Sequence, residues 1–255
     1  MKVISLIGWF IFGTILGSFL NVLIHRLPRG ESVITPGSYC PACKKRLKFH
    51  DLLPILSFIL TLGKCRYCRA PISFRYPMVE ILSGLTLMLL PVRFGYSLDF
   101  LFWAIFILLL IVITFTDLEE FVIADSIILI GIIAGLIFSF IRQDIKSALL
   151  GIILGWFFML ALAKISSVFF KKEAMGEGDI KLSMLLGSYL GWSGLTLSLF
   201  LSFIIGGLIG LTLILSRIKR MDENIPFGPM IAISALISLF FGDKILAWYL
   251  KPFML

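Results

Sequence analysis

Met175-Gly176-Glu177-Gly178-Asp179-Ile180-Lys181-Leu182 sets two glycines ahead of an aspartate and runs straight into an apolar stretch that lasts to Trp192. Glycine has no Cβ, so the backbone here is free to take positive φ, and another chain can approach closely. The aspartate falls where a helix begins, and the unpaired N–H groups of a helix start favour an ionised carboxylate. A carboxylate beside bare backbone, at the lip of an apolar helix, is a place where a peptide could lie down and be cut.

The surrounding chain is apolar almost throughout. Of its 255 residues 59% are hydrophobic, and the mean hydropathy is +1.04. Soluble domains are about 45–50% apolar, so the composition excludes an ordinary soluble protein and predicts an all-α polytopic membrane protein. A helix needs about 20 apolar residues to cross the hydrocarbon. Eight stretches are candidates: 3–24, 77–91, 98–116, 122–141, 147–170, a short one at 180–192, then 195–216 and 229–250. Residues 3–24 have little charge before them and His25, Arg26 and Arg29 after them, the reverse of a signal peptide's charge order, so they read as an anchor and not as a cleaved signal. Residues 52–62 are apolar but too short to span, and read as an interfacial or loop-core segment. The expected organisation is a first transmembrane helix at 1–24, a small cytoplasmic loop domain at 25–75 and a seven-helix domain at 76–255.

The formal charge of +8 invites a nucleic-acid partner, but topology accounts for it. Of the 23 Lys and Arg, sixteen fall in the loops of one face, six on the other, and Lys164 inside the fifth span. The positive-inside rule then puts residues 25–75, 117–121, 171–181 and 217–228 in the cytoplasm. The expected partner is the lipid bilayer of the inner membrane, and no nucleic acid. Five spans carry Gly-x-x-x-Gly, at Gly13/Gly17, Gly131/Gly135, Gly151/Gly155, Gly187/Gly191 and Gly206/Gly210. These predict close helix packing and nothing more.

Asp117 ends the third span and Asp179 opens the sixth, so the topology brings both to the cytoplasmic boundary on helices of opposite direction. Two carboxylates sharing a proton can hydrolyse an amide: one takes a proton from water, the other activates the carbonyl and supplies the leaving amine. Residues 180–192 give only about 20 Å of helix against a core of about 30 Å, which sinks Asp179 below the surface plane. An isolated aspartate at a span end reads as a cap. The glycines before Asp179 and the shared face of Asp117 favour chemistry for the pair. Asp125 reads as a cap or positioning residue. Glu80, about a turn into the second span, reads equally as a buried hydrogen-bonding group or a substrate contact. Asp51, Glu119 and Glu120 read as solvated charges.

Cys40, Cys43, Cys65 and Cys68 form two C-x2-C knuckles separated by 21 residues, the pattern of a tetrahedral zinc site. A reducing cytoplasmic face disfavours two disulfides; iron satisfies the same ligands. Four cysteines leave no open position, so the ion is structural. His25 and His50 have no metal-ligand spacing.

With these residues in view, the chain resembles the bacterial type IV prepilin leader peptidases, a family of Gly-x-Gly-Asp aspartic proteases. The resemblance rests on Gly17-Ser18-Phe19-Leu20-Asn21-Val22 with Arg26-Leu27-Pro28, the two cysteine knuckles, and Ser73-Phe74-Arg75-Tyr76-Pro77 with Glu80. It continues through Asp117, Gly176 to Leu182, and Pro226-Phe227-Gly228-Pro229. It implies that Asp117 and Asp179 are the catalytic pair, with Gly176, Gly178, Lys181 and Glu80 positioning substrate or backbone. It further implies removal of a short basic leader from prepilins or pseudopilins, in pilus assembly or type II secretion. N-methylation of the new terminus with S-adenosylmethionine often follows in this family, with residues 25–75 the associated region. The chain departs from the family pattern at Leu52, where Asn is frequent, and at Ala124, where Pro is frequent. The alternative from the buried carboxylates alone is a proton- or cation-coupled transporter. A zinc-dependent scaffold without chemistry is a third reading.

Overall fold

In lipid every backbone polar group must find its partner inside the protein, and a helix does this within one segment. The computed structural model, which describes residues 3–170, 176–220 and 223–251, follows that rule. Its helices are α1 (Val3–Arg26), α2 (Leu56–Leu60), α3 (Arg75–Phe94), α4 (Leu98–Glu120), α5 (Asp125–Ile141), α6 (Ile145–Phe170), α7 (Glu177–Leu215) and α8 (Gly228–Leu250). The described residues contain no strands, only two isolated bridges, Tyr39 with Arg46 and Lys64 with Pro71. Six helices (α1, α3, α4, α6, α7 and α8) are long and apolar enough to cross a membrane, and the 17-residue α5 is shorter. The chain is a multi-pass membrane protein. Lys2, Lys171, Lys172 and Met175, used in the sequence reading, lie outside the described residues.

The expected sixth and seventh spans are two legs of α7. Gly191 breaks the helix with φ +67° and ψ −175°, a conformation that L side chains rarely adopt. The chain reverses there. The Ser238 hydroxyl of α8 donates to Gly194 O at 2.9 Å, whereas Gly206, further along the second leg, packs on Phe227 just ahead of α8. The second leg therefore returns to the end of α8 that Gly228 occupies. The first leg, residues 177–190, is only about 21 Å long, so the expected short span stands.

The chain divides into two compact units, Met1–Val112 and Ile113–Leu255. In the first, α1 lies against α3 with backbones in contact. A Cβ on Gly13 would stand 2.5 Å from Ser83 O, and one on Gly17 would stand 2.7 Å from Glu80 Cα. Trp9 of α1 stacks on Tyr96 and meets the edge of Phe100, with centroids 6.0 and 5.0 Å away. The boundary expected at residue 76 thus separates helices that pack together. In sequence they are far apart, and nothing local marks Gly13 and Gly17 as partners of Ser83 and Glu80. In the second unit α6 crosses the first leg of α7 through Gly151 on Gly187 and Gly155 on Ser183, and α5 meets the same leg through Gly135 on Ser188 and Tyr189.

This packing leaves no room for a methyl group at Gly187, which lies against the Gly151 backbone, whereas nothing stands within 4 Å of a Cβ on Gly207. Gly187→Ala should lose about 1–3 kcal/mol from overpacking, and Gly207→Ala should be neutral or mildly stabilising. Thermal unfolding of the two variants in detergent measures the difference.

Candidate active site and metal centre

Asp117 lies in the last turn of α4 and Asp179 in the first turn of α7, and both are buried, at 6% and 9% exposure. They line one cleft together with residues 121–125, Gly176–Gly178 and Lys181. The two carboxylates are near enough for Asp117 to act electrostatically on Asp179. Like charges do not collect in a dry place without a reason, so the pair is a candidate functional site on physical grounds.

The residues around the pair fix its geometry. The Gly228 N–H, at the start of α8, donates to Asp117 Oδ2 at 2.8 Å. A Cβ on Gly228 would stand 2.7 Å from that oxygen. Sequence reasoning gave Gly228 no role; its only signal was the turn Pro226-Phe227-Gly228-Pro229. Of the two things expected of the glycines before Asp179, positive φ and close approach, the first is absent. Gly176 has φ −72°, and neither it nor Gly178 takes positive φ. Gly178 instead lets the Ile123 side chain approach, within 3.0 Å of where its Cβ would be, and the nearest atom to a Cβ on Gly176 is Asp179 Oδ2 at 3.9 Å. Their contribution is close approach and open space, not backbone torsion.

Lys181 Nζ bonds Asp125 Oδ1 at 2.7 Å, with Glu177 at 3.9 Å. The bond ties the first leg of α7 to the start of α5 at the rim of the cleft. Both groups are well exposed, so the pair is worth about 0–1 kcal/mol and matters for where it holds the rim. Glu80 does not line this cleft. It is buried in the first unit, and its Oε2 accepts the Ile55 N–H at 2.7 Å. Ile55 has φ +62°, unfavourable for a β-branched residue, and the Glu80 carboxylate pins it there.

Cys40, Cys43, Cys65 and Cys68 bring their sulfurs within 4.8 Å of one another, and no pair is a disulfide. The two knuckles repeat one backbone design. Lys44 N–H bonds Cys40 O at 2.8 Å and Arg69 N–H bonds Cys65 O at 2.9 Å, with Lys44 and Arg69 both in the left-handed region. The N–H groups of Cys68 and Tyr67 face the Cys65 sulfur and hold its thiol down at about 7. These four thiols could hold one metal ion.

Asp51 corrects the expectation of a solvated charge. Its side chain is 7% exposed, and it accepts from the Tyr67 hydroxyl at 2.8 Å, Arg66 Nε at 2.9 Å and the Lys48 N–H at 3.1 Å. It joins the segment after the first knuckle to the second knuckle. Leu56, Ile59, Leu60 and Leu62 nearby are exposed, in keeping with an interfacial segment at 52–62 rather than a packed loop core.

A polytopic helical membrane protein with a buried pair of carboxylates in one cleft and a cluster of four thiols that could hold a metal ion is the class these features define. Residues 11–94 match the bacterial peptidase A24 N-terminal domain, and residues 104–211 match the type IV leader peptidase family. A prepilin leader peptidase/N-methyltransferase from Bacillus subtilis (strain 168) is 36% identical over 245 residues, covering 95% of this chain and 96% of the relative. Proteins of the same name from Aeromonas hydrophila and Legionella pneumophila are 34% and 33% identical, each over 96% of this chain and over 93% and 94% of their own lengths. No solved structure matches the chain. The chain belongs to the type IV leader peptidase family.

Burial opposes ionisation of Asp51, but the bonds from Tyr67, the Lys48 N–H and Arg66 outweigh it and hold the carboxyl below its ordinary 3.8. A lowered folded-state value stabilises the loop fully above the unfolded value and ceases to do so as pH falls through the folded one. Asp51→Asn should cost about 1–3 kcal/mol near neutral pH, and the gap from wild type should close below about pH 4. Hydrogen exchange of residues 38–76 across that range reads both effects.

Proposed function

We propose that this protein is a membrane-embedded aspartic endopeptidase that removes the short basic leader of type IV prepilins or pseudopilins and then N-methylates the new terminus. One observation carries the reading: Asp117 and Asp179, buried and on different helices, share a cleft beside the Gly176–Gly178 backbone. Membership of the leader peptidase family supports it.

In the proposed reaction one carboxylate takes a proton from water as the oxygen attacks the scissile carbonyl. The other, protonated, donates first to the carbonyl oxygen and the proton then goes to the leaving nitrogen. The Gly228 N–H occupies Oδ2 of Asp117 and leaves its other oxygen for water. Gly176 and Gly178 keep side chains off the path of the substrate backbone, and Lys181, through Asp125, holds the rim. The excess of basic residues in one set of loops supports a cytoplasmic cleft in the inner membrane. A substrate with a basic leader ahead of an apolar helix meets the cleft at the junction of the two.

Zinc is the proposed occupant of the four thiols. Bonds of about 2.3 Å in a tetrahedron put sulfurs about 3.8 Å apart, and Cys40 Sγ and Cys68 Sγ are 3.9 Å apart. With all four positions filled, the ion would hold the loop and take no part in hydrolysis. S-adenosylmethionine is the proposed methyl donor; it supplies a methyl group on a sulfonium, which passes to the amine while a neutral thioether leaves and the amine releases a proton.

Asp117→Asn and Asp179→Asn should each lower prepilin cleavage by at least about 10²–10⁴-fold. Gly228→Ala, which displaces the Asp117 carboxylate without removing it, should cost about 10²-fold. Cleavage of a prepilin in membranes measures all three, and wild-type turnover in either Asn variant would sink the pair. Metal analysis of the purified protein should give one zinc per chain, lost in Cys40→Ser.

A further inference from the structure

The first unit carries an aliphatic face that stands exposed among the described residues. The residues of α2 divide by direction. Ser57 and Phe58, with Thr61 just past the helix, turn inward and line a cavity against α1 and α3. Leu56, Ile59 and Leu60 are exposed, Leu60 by 75%. Leu62 follows in the turn that closes the helix. It is 85% exposed and takes a left-handed φ of +53°, a conformation uncommon for residues other than glycine. The outer face is thus made of large aliphatic side chains, and an exposed apolar patch of this kind marks a surface that something apolar covers.

The neighbours of this face say what covers it. Helix α3 is long and apolar enough to cross the membrane, and exposed apolar residues recur on it at Met78, Leu82, Leu85, Leu89 and Val92. Steps of three and four residues keep these on one side of a helix, and an apolar stripe on the outside of a spanning helix meets acyl chains. Phe74, the residue before α3, already has helical φ and ψ and is exposed, so it extends the stripe by one turn. Its ring meets that of Phe58 in α2 edge to face, with centroids 6.2 Å apart. The aliphatic face of α2 therefore adjoins the lipid-facing stripe at the level where α3 begins. Lys64, two residues after Leu62, is exposed as well. A lysine there places its ammonium among lipid phosphates while its stem lies along apolar surface.

We propose that α2 and Leu62 are a membrane anchor for the cysteine loop. They lie in the plane of the bilayer, with Leu56, Ile59, Leu60 and Leu62 at the boundary between headgroups and acyl chains of the leaflet that the loop faces. The occupant of the face is lipid, not a second protein. The loop is tied at its two ends to membrane helices, α1 ending at Arg26 and α3 starting at Arg75, and both ties keep it within reach of that leaflet. A third attachment through α2 fixes the tilt of the loop against the membrane. The proposal depends on the chain being a multi-pass membrane protein and on neither of the reactions assigned to it.

The test uses the full chain, purified and reconstituted in lipid nanodiscs. Leu60 and Leu62 are each replaced in turn by photoreactive benzoylphenylalanine, with Met78 on the α3 stripe as the lipid-facing reference. After irradiation and mass spectrometry, both positions should give lipid adducts as their main product, as Met78 does. Adducts to a second copy of the chain, or no lipid adduct where Met78 gives one, overturn the anchor. A Leu60→Asp/Leu62→Asp double variant, checked for wild-type elution on size exclusion, should exchange the amides of residues 56–62 about tenfold faster in nanodiscs, with those of α3 unchanged. Wild-type exchange in that variant also overturns the proposal. Should the double variant fail to fold, the cross-linking at single positions decides the matter.

Discussion

Holding two carboxylates together away from water is the most expensive thing this molecule does, and much of the second unit can be read as the means of doing it. Left free, Asp117 and Asp179 would separate or turn outward, since desolvation and mutual repulsion both oppose the pair. Backbone, not side chains, prevents this. The reversal at Gly191 makes the first leg of α7 too short to reach across the hydrocarbon, and the glycine contacts with α6 fix the position of that leg. The Gly228 N–H holds Asp117 from the side of α8. A side chain at any of these glycines would meet backbone, the Ser147 side chain or the carboxylate itself, so the cleft depends on atoms that are missing.

The cysteine loop solves a different problem with different means. It has little apolar interior, and a short polar segment of this kind gains stability from a metal and from buried hydrogen bonds rather than from a core. The two knuckles share one backbone turn, which brings four thiols from distant sequence positions into one cluster. Asp51 adds a second, metal-independent tie between the halves by engaging Tyr67 and Arg66, the two residues between Cys65 and Cys68. With Ile55 pinned by Glu80, the loop is anchored to α3 by a buried hydrogen bond and not by packing alone.

What the sequence revealed and what it concealed follow from the range of each signal. Hydropathy is local, and all eight expected segments correspond to helical legs, including the short one ending near Gly191. Cysteine spacing is also local within each knuckle, and the four thiols meet. The misread residues are those whose meaning depends on a distant partner. Asp51 looked solvated because Tyr67 and Arg66 lie fifteen or more residues away. Gly228 carried no role because its partner Asp117 is 111 residues away. Gly176 and Gly178 were expected to supply both positive φ and close approach, and it is only their missing side chains that count. Asn21, quoted in the family resemblance, donates through Nδ2 to Gly17 O and Tyr76 O, and nothing in sequence hinted that its Oδ1 would be buried without a hydrogen-bond partner.

The proposed pairing of two activities in one chain has an order that chemistry imposes. In a peptide bond the nitrogen lone pair is delocalised into the carbonyl, which gives the bond its planarity and makes the nitrogen a poor nucleophile. Methyl transfer to that nitrogen is therefore blocked until hydrolysis has turned the amide into an amine. The aspartate cleft must act first, and it makes the group that the second reaction consumes. A methyl-donor site needs no device to recognise uncleaved substrate and reject it, because the uncleaved substrate presents nothing to methylate. It needs only to hold its donor and admit an amine.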